Sequence, residues 1–180
     1  MNTQGTLAPA DGELRDGYRG LMSAFPTGVA VITAVDPDDR PHGLTCTSLT
    51  SVCLDPPTLL VCLGLRSGTL AATRHSGSFA VNLLHARARR VATVFSTAVP
   101  DRFAEVSWQP SRWTGQPWLC DDAFAMAECV IVDTCVVGDH AVMYGEVVHV
   151  EQTVDVPLLY GMRQFSDWPA DPRQTVAGCR

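Results

Sequence analysis

The segment HGLTCTSLTSVCLDPPTLLVCL, His42 to Leu63, carries the main signal for fold and for function. Hydroxyl side chains alternate with apolar ones as far as Leu54, a pattern that predicts a β-strand with one polar face. Proline has no N–H for a sheet ladder, so DPP ends this strand, and the apolar residues 58–65 predict a second, buried strand. The hydroxyls either lie on the solvent-exposed face of an ordinary strand or form a row of groups that hydrogen-bond a polar, planar ligand.

The segments around this one predict a protein with more strand than helix. We expect short helices over 16–24, 66–77 and 85–96, strands over 29–35, 78–84, 123–138 and 141–152, a turn over 36–43 and a long ordered loop over 97–122. Strands and helices do not alternate regularly enough for a doubly wound sheet. The pattern therefore predicts a mainly β barrel with a few helical inserts.

Length and composition predict one compact domain. The chain has 180 residues, of which 46% are hydrophobic and 18% charged, a globular composition. We expect a single domain over 16–168 between flexible tails, 1–15 and 169–180. The first residues are polar and lack the features of a signal peptide, and no apolar run approaches the length of a transmembrane helix. The sequence thus predicts a cytoplasmic protein with no membrane partner.

Several kinds of chemistry are excluded by residue usage. The net charge of −6 disfavours nucleic acid as a partner. All 13 basic residues are arginine, so a lysine Schiff base, lysine-bound pyridoxal phosphate and a Walker A loop are impossible. The seven cysteines form no CxxC pair, and the mixed set of Cys129, Cys135, His140 and His149 matches no zinc spacing. We expect neither a disulfide framework nor a metal site.

Two further segments could bind ligand. In RSGT, the start of the predicted helix offers free N–H groups, the hydroxyls of Ser67 and Thr69, and the charge of Arg66, a combination suited to phosphate. The same residues would also be found at the start of an ordinary surface helix that has an N-cap and binds no ligand. In GDH, Gly138 to His140, the histidine lies either at the rim of a barrel pocket or in a plain hairpin turn.

Taken together and in order, these segments resemble the short-chain flavin reductases, which are the reductase components of two-component flavin-dependent monooxygenases. The resemblance extends from about Tyr18 to Phe165 and depends on the combination of TSLTSVCLDPP with GDH. It includes FPTGVAVITA, FAVNLL, RFAEVSW and PLLY. Cys46 and Leu49 stand where such proteins usually carry valine or asparagine and phenylalanine, respectively.

The resemblance implies a fold and an activity. The fold would be an FMN-binding split β-barrel, Greek-key-like and antiparallel, that forms a homodimer with the flavin at or near the subunit interface. The activity would be transfer of hydride from NADH to FAD, or to FMN, with reduced flavin reaching a separate monooxygenase or halogenase by diffusion. FAD and NADH are the expected choices. A non-enzymatic flavin- or haem-binding sensor on the same barrel is the alternative, and a protein like pyridoxamine-phosphate oxidase fits the motifs less well.

The resemblance also assigns residues. His140 is expected to act at the nicotinamide, with Tyr160 and Arg163 as further candidates for the same pocket. Ser67 and Thr69 are expected at the flavin phosphate. The remaining flavin-binding candidates line the ring and the ribityl chain, and they are Thr45, Cys46, Thr47, Ser48, Ser51, Val52, Cys62, Asn82 and Leu83.

Overall fold

The computed structural model describes residues 12–97, 99 and 101–168. Within these residues the helices are α1 (Gly12–Ala24), α2 (Gly68–Ser76) and α3 (Arg89–Ser96). The strands are β1 (Thr27–Gly28), β2 (Ala30–Val35), β3 (Pro41–Cys46), β4 (Leu49–Leu54), β5 (Pro57–Gly64), β6 (Ser78–Leu84), β7 (Gln109–Pro110), β8 (Pro117–Trp118), β9 (Ala123–Val137), β10 (His140–Gln152), β11 (Leu158–Gly161) and β12 (Gln164–Asp167). The expected mainly β, antiparallel architecture is confirmed.

The main sheet is a curled, open barrel. Its seven strands run in the order β3-β2-β6-β9-β10-β5-β4, with antiparallel pairing throughout. The two edge strands, β3 and β4, are consecutive in the chain and are joined by Thr47 and Ser48 alone. A two-residue link spans only about 10 Å, so the sheet must curl until its edges approach each other. The edges are not hydrogen-bonded to each other in the described part of the chain, and a gap stays open between them.

Both faces of the central strands are buried, because each face packs against its own apolar cluster. Ile32 of β2 points into the barrel and packs with Phe79 and Met143. Its neighbour Val31 points outward and packs with Phe95 of α3, and the small sheet β1-β11-β12 adds Leu158 to this outer cluster. Helix α3 therefore lies against the outside of the barrel near edge strand β3.

The sequence prediction differs from the structure in four places. The strand expected across residues 42–54 is two strands, because the chain leaves one sheet edge at Cys46 and re-enters at the other edge. Helix α1 begins at Gly12, so residues 12–15 of the predicted tail are helical, whereas residues 1–11 and 169–180 lie outside the described residues. The predicted loop 97–122 contains a 3-10 turn, Arg102–Glu105, and the short pair β7–β8. The hairpin β11–β12 was not predicted.

Among the described helices, none is long and apolar enough to cross a membrane.

Candidate functional site

A cleft of about 580 Å³ lies along the free edge of β3. One side, the phosphate side, is the start of α2, residues 66–69. The other, the α3 side, is formed by the end of α3 together with Val99, Asp101, Arg102 and Phe103. Strand β3 forms the bottom with residues 41–45. Of the predicted site residues, the structure brings Thr45, Ser67 and Thr69 together in this cleft.

The phosphate side presents unsatisfied hydrogen-bond donors. Ser67 is the N-cap residue of α2, with an extended backbone, but its hydroxyl makes no capping hydrogen bond. Thr69 is only 3% exposed, and its hydroxyl has no hydrogen-bond partner among the described residues. A helix of nine residues follows, and its first N–H groups and dipole favour an anion at this point. The residues present therefore fit a phosphate group.

The charges around the cleft are unevenly distributed. Arg66 makes no ion pair or hydrogen bond with the described residues and adds positive charge beside the phosphate side. His42 lies below the start of α2, with its Nε2 atom 2.9 Å from Asp36 Oδ2. This hydrogen bond, with others from the backbone, lowers the pKa of Asp36 to about 2. Arg102 donates to the carbonyl oxygens of Gly43 and Thr97, at 2.7 and 2.5 Å, and so ties the α3 side of the cleft to strand β3 at its bottom.

The link between the two edge strands is held by one hydroxyl group. Ser48 Oγ donates to the Cys62 carbonyl at 3.1 Å, accepts from the Cys62 N–H at 3.3 Å, and lies 3.2 Å from Cys46 Sγ. The Cys46 side chain is buried in the barrel core, and burial raises the pKa of its thiol. Thr47 is exposed, and Thr45 uses its hydroxyl to donate to the Ala92 carbonyl at 2.7 Å. Ser48 and Cys62 are thus positioning residues for the link between the edges.

Four other predicted residues lie outside the cleft. Ser51 and Val52 lie on edge strand β4, where both are exposed, and neither lines the cleft. Asn82 is fully buried. Its Nδ2 group donates to the carbonyls of Val31 and Pro117 and to the Thr33 hydroxyl, and its Oδ1 atom accepts from the Leu119 N–H. Its side chain is therefore committed to the protein interior. The neighbouring Leu83 is half-buried and packs against the barrel core.

The two candidates near the C-terminal end are also separate from the cleft. Tyr160 lies on β11 opposite Thr27, packs edge-on against Phe165 at 5.3 Å, and contributes to the outer apolar cluster. Arg163 is exposed in the β11–β12 turn, with a φ of 61°.

His140 lies next to the phosphate side of the cleft. It is the first residue of β10 and is exposed, with Nδ1 2.7 Å from Asp139 Oδ1, and this hydrogen bond lowers the pKa of Asp139. The Asp139 carbonyl accepts from the Leu65 N–H at 2.9 Å. The GDH turn is therefore fixed beside the residues that lead into α2, and His140 faces solvent near Arg66.

Sequence reasoning missed two features. His42 and Arg102 line the cleft, but a lone histidine and an arginine in an irregular segment carry no periodic signal. Glu128, in the middle of strand β9, is completely buried and anchors residues 111–114. A glutamate between the apolar residues of a long strand was the available signal for it, because a buried charge needs a dedicated set of partners.

Residues 22–169 match the family model of the flavin reductase like domain. This match covers most of the 180-residue chain. The protein therefore belongs to this family, and the resemblance seen in the sequence is confirmed.

Two relatives agree with this assignment. Over 151 residues the chain is 64% identical to a flavin reductase (NADPH) of Lentzea aerocolonigenes, an alignment that covers 84% of this chain and 88% of the relative. Over 162 residues it is 40% identical to a flavin reductase (NADH) of Kitasatospora aureofaciens, with 88% of this chain and 85% of the relative covered.

Two solved structures share the fold. The Streptomyces globisporus NADH:FAD oxidoreductase SgcE6, in complex with NAD and FAD fragments, is 30% identical with a TM-score of 0.83, covering 91% of this chain and 98% of that one. BorF, the flavin reductase component of a bacterial two-component tryptophan halogenase, is 32% identical with a TM-score of 0.79, covering 87% and 99%.

Proposed function

We propose that this protein is an NAD(P)H:flavin oxidoreductase that reduces FAD or FMN and supplies the reduced flavin to a separate monooxygenase or halogenase. The observation that carries the proposal is the anion-binding end of the cleft, where the start of α2 offers the hydroxyls of Ser67 and Thr69 beside Arg66. Membership of the flavin reductase family supports it. The relationship to the halogenase component BorF supports a partner of the same kind.

The protein's part in this reaction is to bind the flavin and the nicotinamide donor and to align their rings. When both cofactors are bound, the nicotinamide supplies a hydride from its C4 atom to N5 of the flavin. Hydride transfer needs the two rings stacked about 3–3.5 Å apart. Ser67 and Thr69 fix the flavin at its phosphate, and His140, at the adjacent turn, positions the nicotinamide end of the donor. The open cleft suits a flavin that leaves after reduction.

The preferred donor is proposed to be NADPH. The resemblance to the family favoured NADH, since no arginine in the sequence stood out as a partner for a 2′-phosphate. The relative with 64% identity is named for NADPH, whereas the relative named for NADH is 40% identical. The measurement is kcat/KM for NADPH against NADH at saturating FAD.

The first test separates an enzyme from a sensor. Purified protein with NADPH and FAD, without oxygen, is expected to bleach the flavin absorbance over many turnovers. Glucose oxidase with the same reagents is a suitable control, since it binds flavin but does not use nicotinamide. A protein that binds flavin without steady NADPH or NADH consumption would instead be the sensor.

The role of His140 is tested by His140→Ala. We expect flavin affinity to stay near the wild-type value, while KM for the nicotinamide donor rises, kcat falls, or both change, by about tenfold in kcat/KM. His75, exposed near the C-terminal end of α2, provides the control variant His75→Ala. Wild-type kinetics in His140→Ala would show that this histidine is only a turn residue.

We also propose that the protein is a cytoplasmic homodimer. Apolar side chains are exposed on β4, β9 and β10, among them Leu54 at 85%, Val132 at 54% and Val150 at 52%. Such patches commonly mark a subunit interface. Sedimentation equilibrium at micromolar concentration is expected to give about twice the chain mass of 19.4 kDa, and a mass equal to one chain would contradict the proposal.

A further inference from the structure

Helix α1 has an apolar face that the described part of its own chain leaves uncovered. Leu14, Tyr18 and Leu21 follow one another at intervals of four and three residues, so they lie on one side of the helix. Phe25 continues this row directly after the helix. These four side chains are between 61% and 68% exposed, and none of the 13 residues of α1 is buried.

A helix of this length needs a surface to pack against. Isolated helices of about 12–15 residues are only marginally stable in water, and Gly17 and Gly20 lower the helix propensity of α1 further. The two acidic and two basic side chains of α1 cancel in charge. A helix that lies on an anionic membrane is instead rich in basic residues. The surface that covers α1 is therefore expected to be apolar and close to neutral.

The same chain presents such a surface on the outside of strand β9. Cys129 and Ile131 of this strand pack inside the barrel. The alternate residues Val130 and Val132 face outward, where they are exposed. The preceding outward residue, Glu128, is instead covered by the loop of residues 111–114, which its carboxylate anchors. Beyond this loop the outer side of β9 is bare.

Trp113 stands where the loop ends and the bare part of the strand begins. Its backbone N–H donates to the Glu128 carboxylate at 3.2 Å, and its ring packs on His149 with ring centroids 5.8 Å apart. The Trp113 side chain is nevertheless 64% exposed. A large aromatic side chain whose backbone is fixed at the surface is typical of an interface hot spot. Trp113, Val130 and Val132 together form the β9 face.

We propose that α1 of one protomer packs on the β9 face of its partner, with its apolar side chains against the valines and beside Trp113. The inference rests on the homodimer of the proposed function and names its contact. A two-fold axis makes the contact twice, so each protomer contributes both surfaces. Their exposed apolar side chains amount to an area on the order of 1,000 Å² per protomer, whereas a stable interface takes roughly 800 Å² from each partner. A second copy of this chain is therefore sufficient to cover both surfaces.

The first test places a charge on the apolar face of α1. Leu21→Glu is expected to raise the dissociation constant of the dimer about a hundredfold or more, because two carboxylates would be buried without partners in each dimer. Sedimentation velocity over a concentration series measures it. Gly20→Glu is the matched control, since it adds the same charge on the polar side of the helix, where a Cβ atom would meet no described atom within 4 Å. This control is expected to change the dissociation constant by less than about threefold.

A double-mutant cycle tests which surface receives α1. Tyr18→Ala and Trp113→Ala are each expected to weaken the dimer about tenfold, and the double variant is expected to weaken it by less than the product of the two factors, because both remove the same contact. Independent factors would place α1 on another surface and overturn the proposal. Unchanged dimerisation of Leu21→Glu would also overturn it.

The failure of this inference is distinguishable from the failure of the proposed function. A wild-type protein that sediments as a monomer would overturn the homodimer together with this contact. A wild-type dimer that tolerates Leu21→Glu would overturn the contact alone. Steady NAD(P)H oxidation with flavin is measured separately on the wild-type protein, and it would support the reductase activity in either case.

Discussion

Replacing Ser67 and Thr69 together by alanine is expected to weaken FMN and FAD by about a hundredfold or more, with riboflavin almost unaffected. Hydrogen bonds to a charged group contribute about 1.5–3 kcal/mol each, and a combined loss of about 3 kcal/mol corresponds to a factor of about 100. The effect should be large because Thr69 is 3% exposed, so water compensates little for the lost hydroxyl. Fluorescence titration of the three flavins measures it.

The role of Ser67 and Thr69 is decided by whether the loss of affinity is confined to the flavins that carry a phosphate. Riboflavin has no phosphate and serves as the control ligand, while Thr93→Ala serves as a control variant, because its hydroxyl donates to the Arg89 carbonyl at 2.9 Å within its own helix. An equal loss for FMN, FAD and riboflavin would place the phosphate elsewhere and would assign Ser67 and Thr69 to the support of α2. A loss for FMN and FAD alone establishes the phosphate side of the cleft.

The strands were predictable from sequence because their patterns are local. Alternation and β-branched residues in β2, β6, β9 and β10 reflect contacts that each strand makes with its neighbours. The break between β3 and β4 at Thr47 and Ser48 does not follow from such local contacts. It depends on the curl of the whole sheet, which brings two edges together that are far apart in strand order. The hydrophobic periodicity within residues 42–54 does not indicate where the chain passes from one edge of the sheet to the other.

The candidate site was predicted only in part, because sequence patterns report local contacts and not contacts between distant segments. Ser67 and Thr69 follow from a rule about helix starts, which is local. His42 and Arg102 enter the cleft only because β3 is an edge strand and residues 101–103 fold back against it. Asn82 shows what local reasoning leaves out. It was a reasonable ligand in a strand next to polar residues, yet the chain segment 117–119 occupies its amide.

Glu128→Ala is expected to destabilise the protein strongly. The carboxylate accepts from the Ser111 hydroxyl at 2.8 Å and from the Thr114 N–H and hydroxyl at 2.6 and 2.7 Å, and the Trp113 N–H lies at 3.2 Å. Removing it leaves these buried donors without an acceptor. We expect a loss of about 3 kcal/mol or more in the free energy of unfolding. Urea denaturation measures it.

A neighbouring glutamate supplies the control. Glu146 is half-buried on β10, the strand paired with β9, and makes no hydrogen bond or ion pair with the described residues. Glu146→Ala should therefore change stability by less than about 1 kcal/mol. Comparable losses for the two variants would show that the Glu128 network adds nothing beyond side-chain packing.

The pH dependence of stability gives an independent test of the Glu128 network. Burial acts to raise the pKa of Glu128, but the hydrogen bonds from Thr114, Ser111 and Trp113 outweigh it and lower the pKa below its ordinary value of 4.5. Because the folded pKa is the lower one, the carboxylate contributes its full stabilisation above pH 4.5 and loses it as the pH falls through the folded value. Glu128→Gln cannot titrate and keeps the shape of the side chain. The stability difference between wild type and Glu128→Gln should therefore shrink as the pH falls from about 6 to about 3. A difference that stays constant over this range would mean that Glu128 is not held as a carboxylate by residues 111–114.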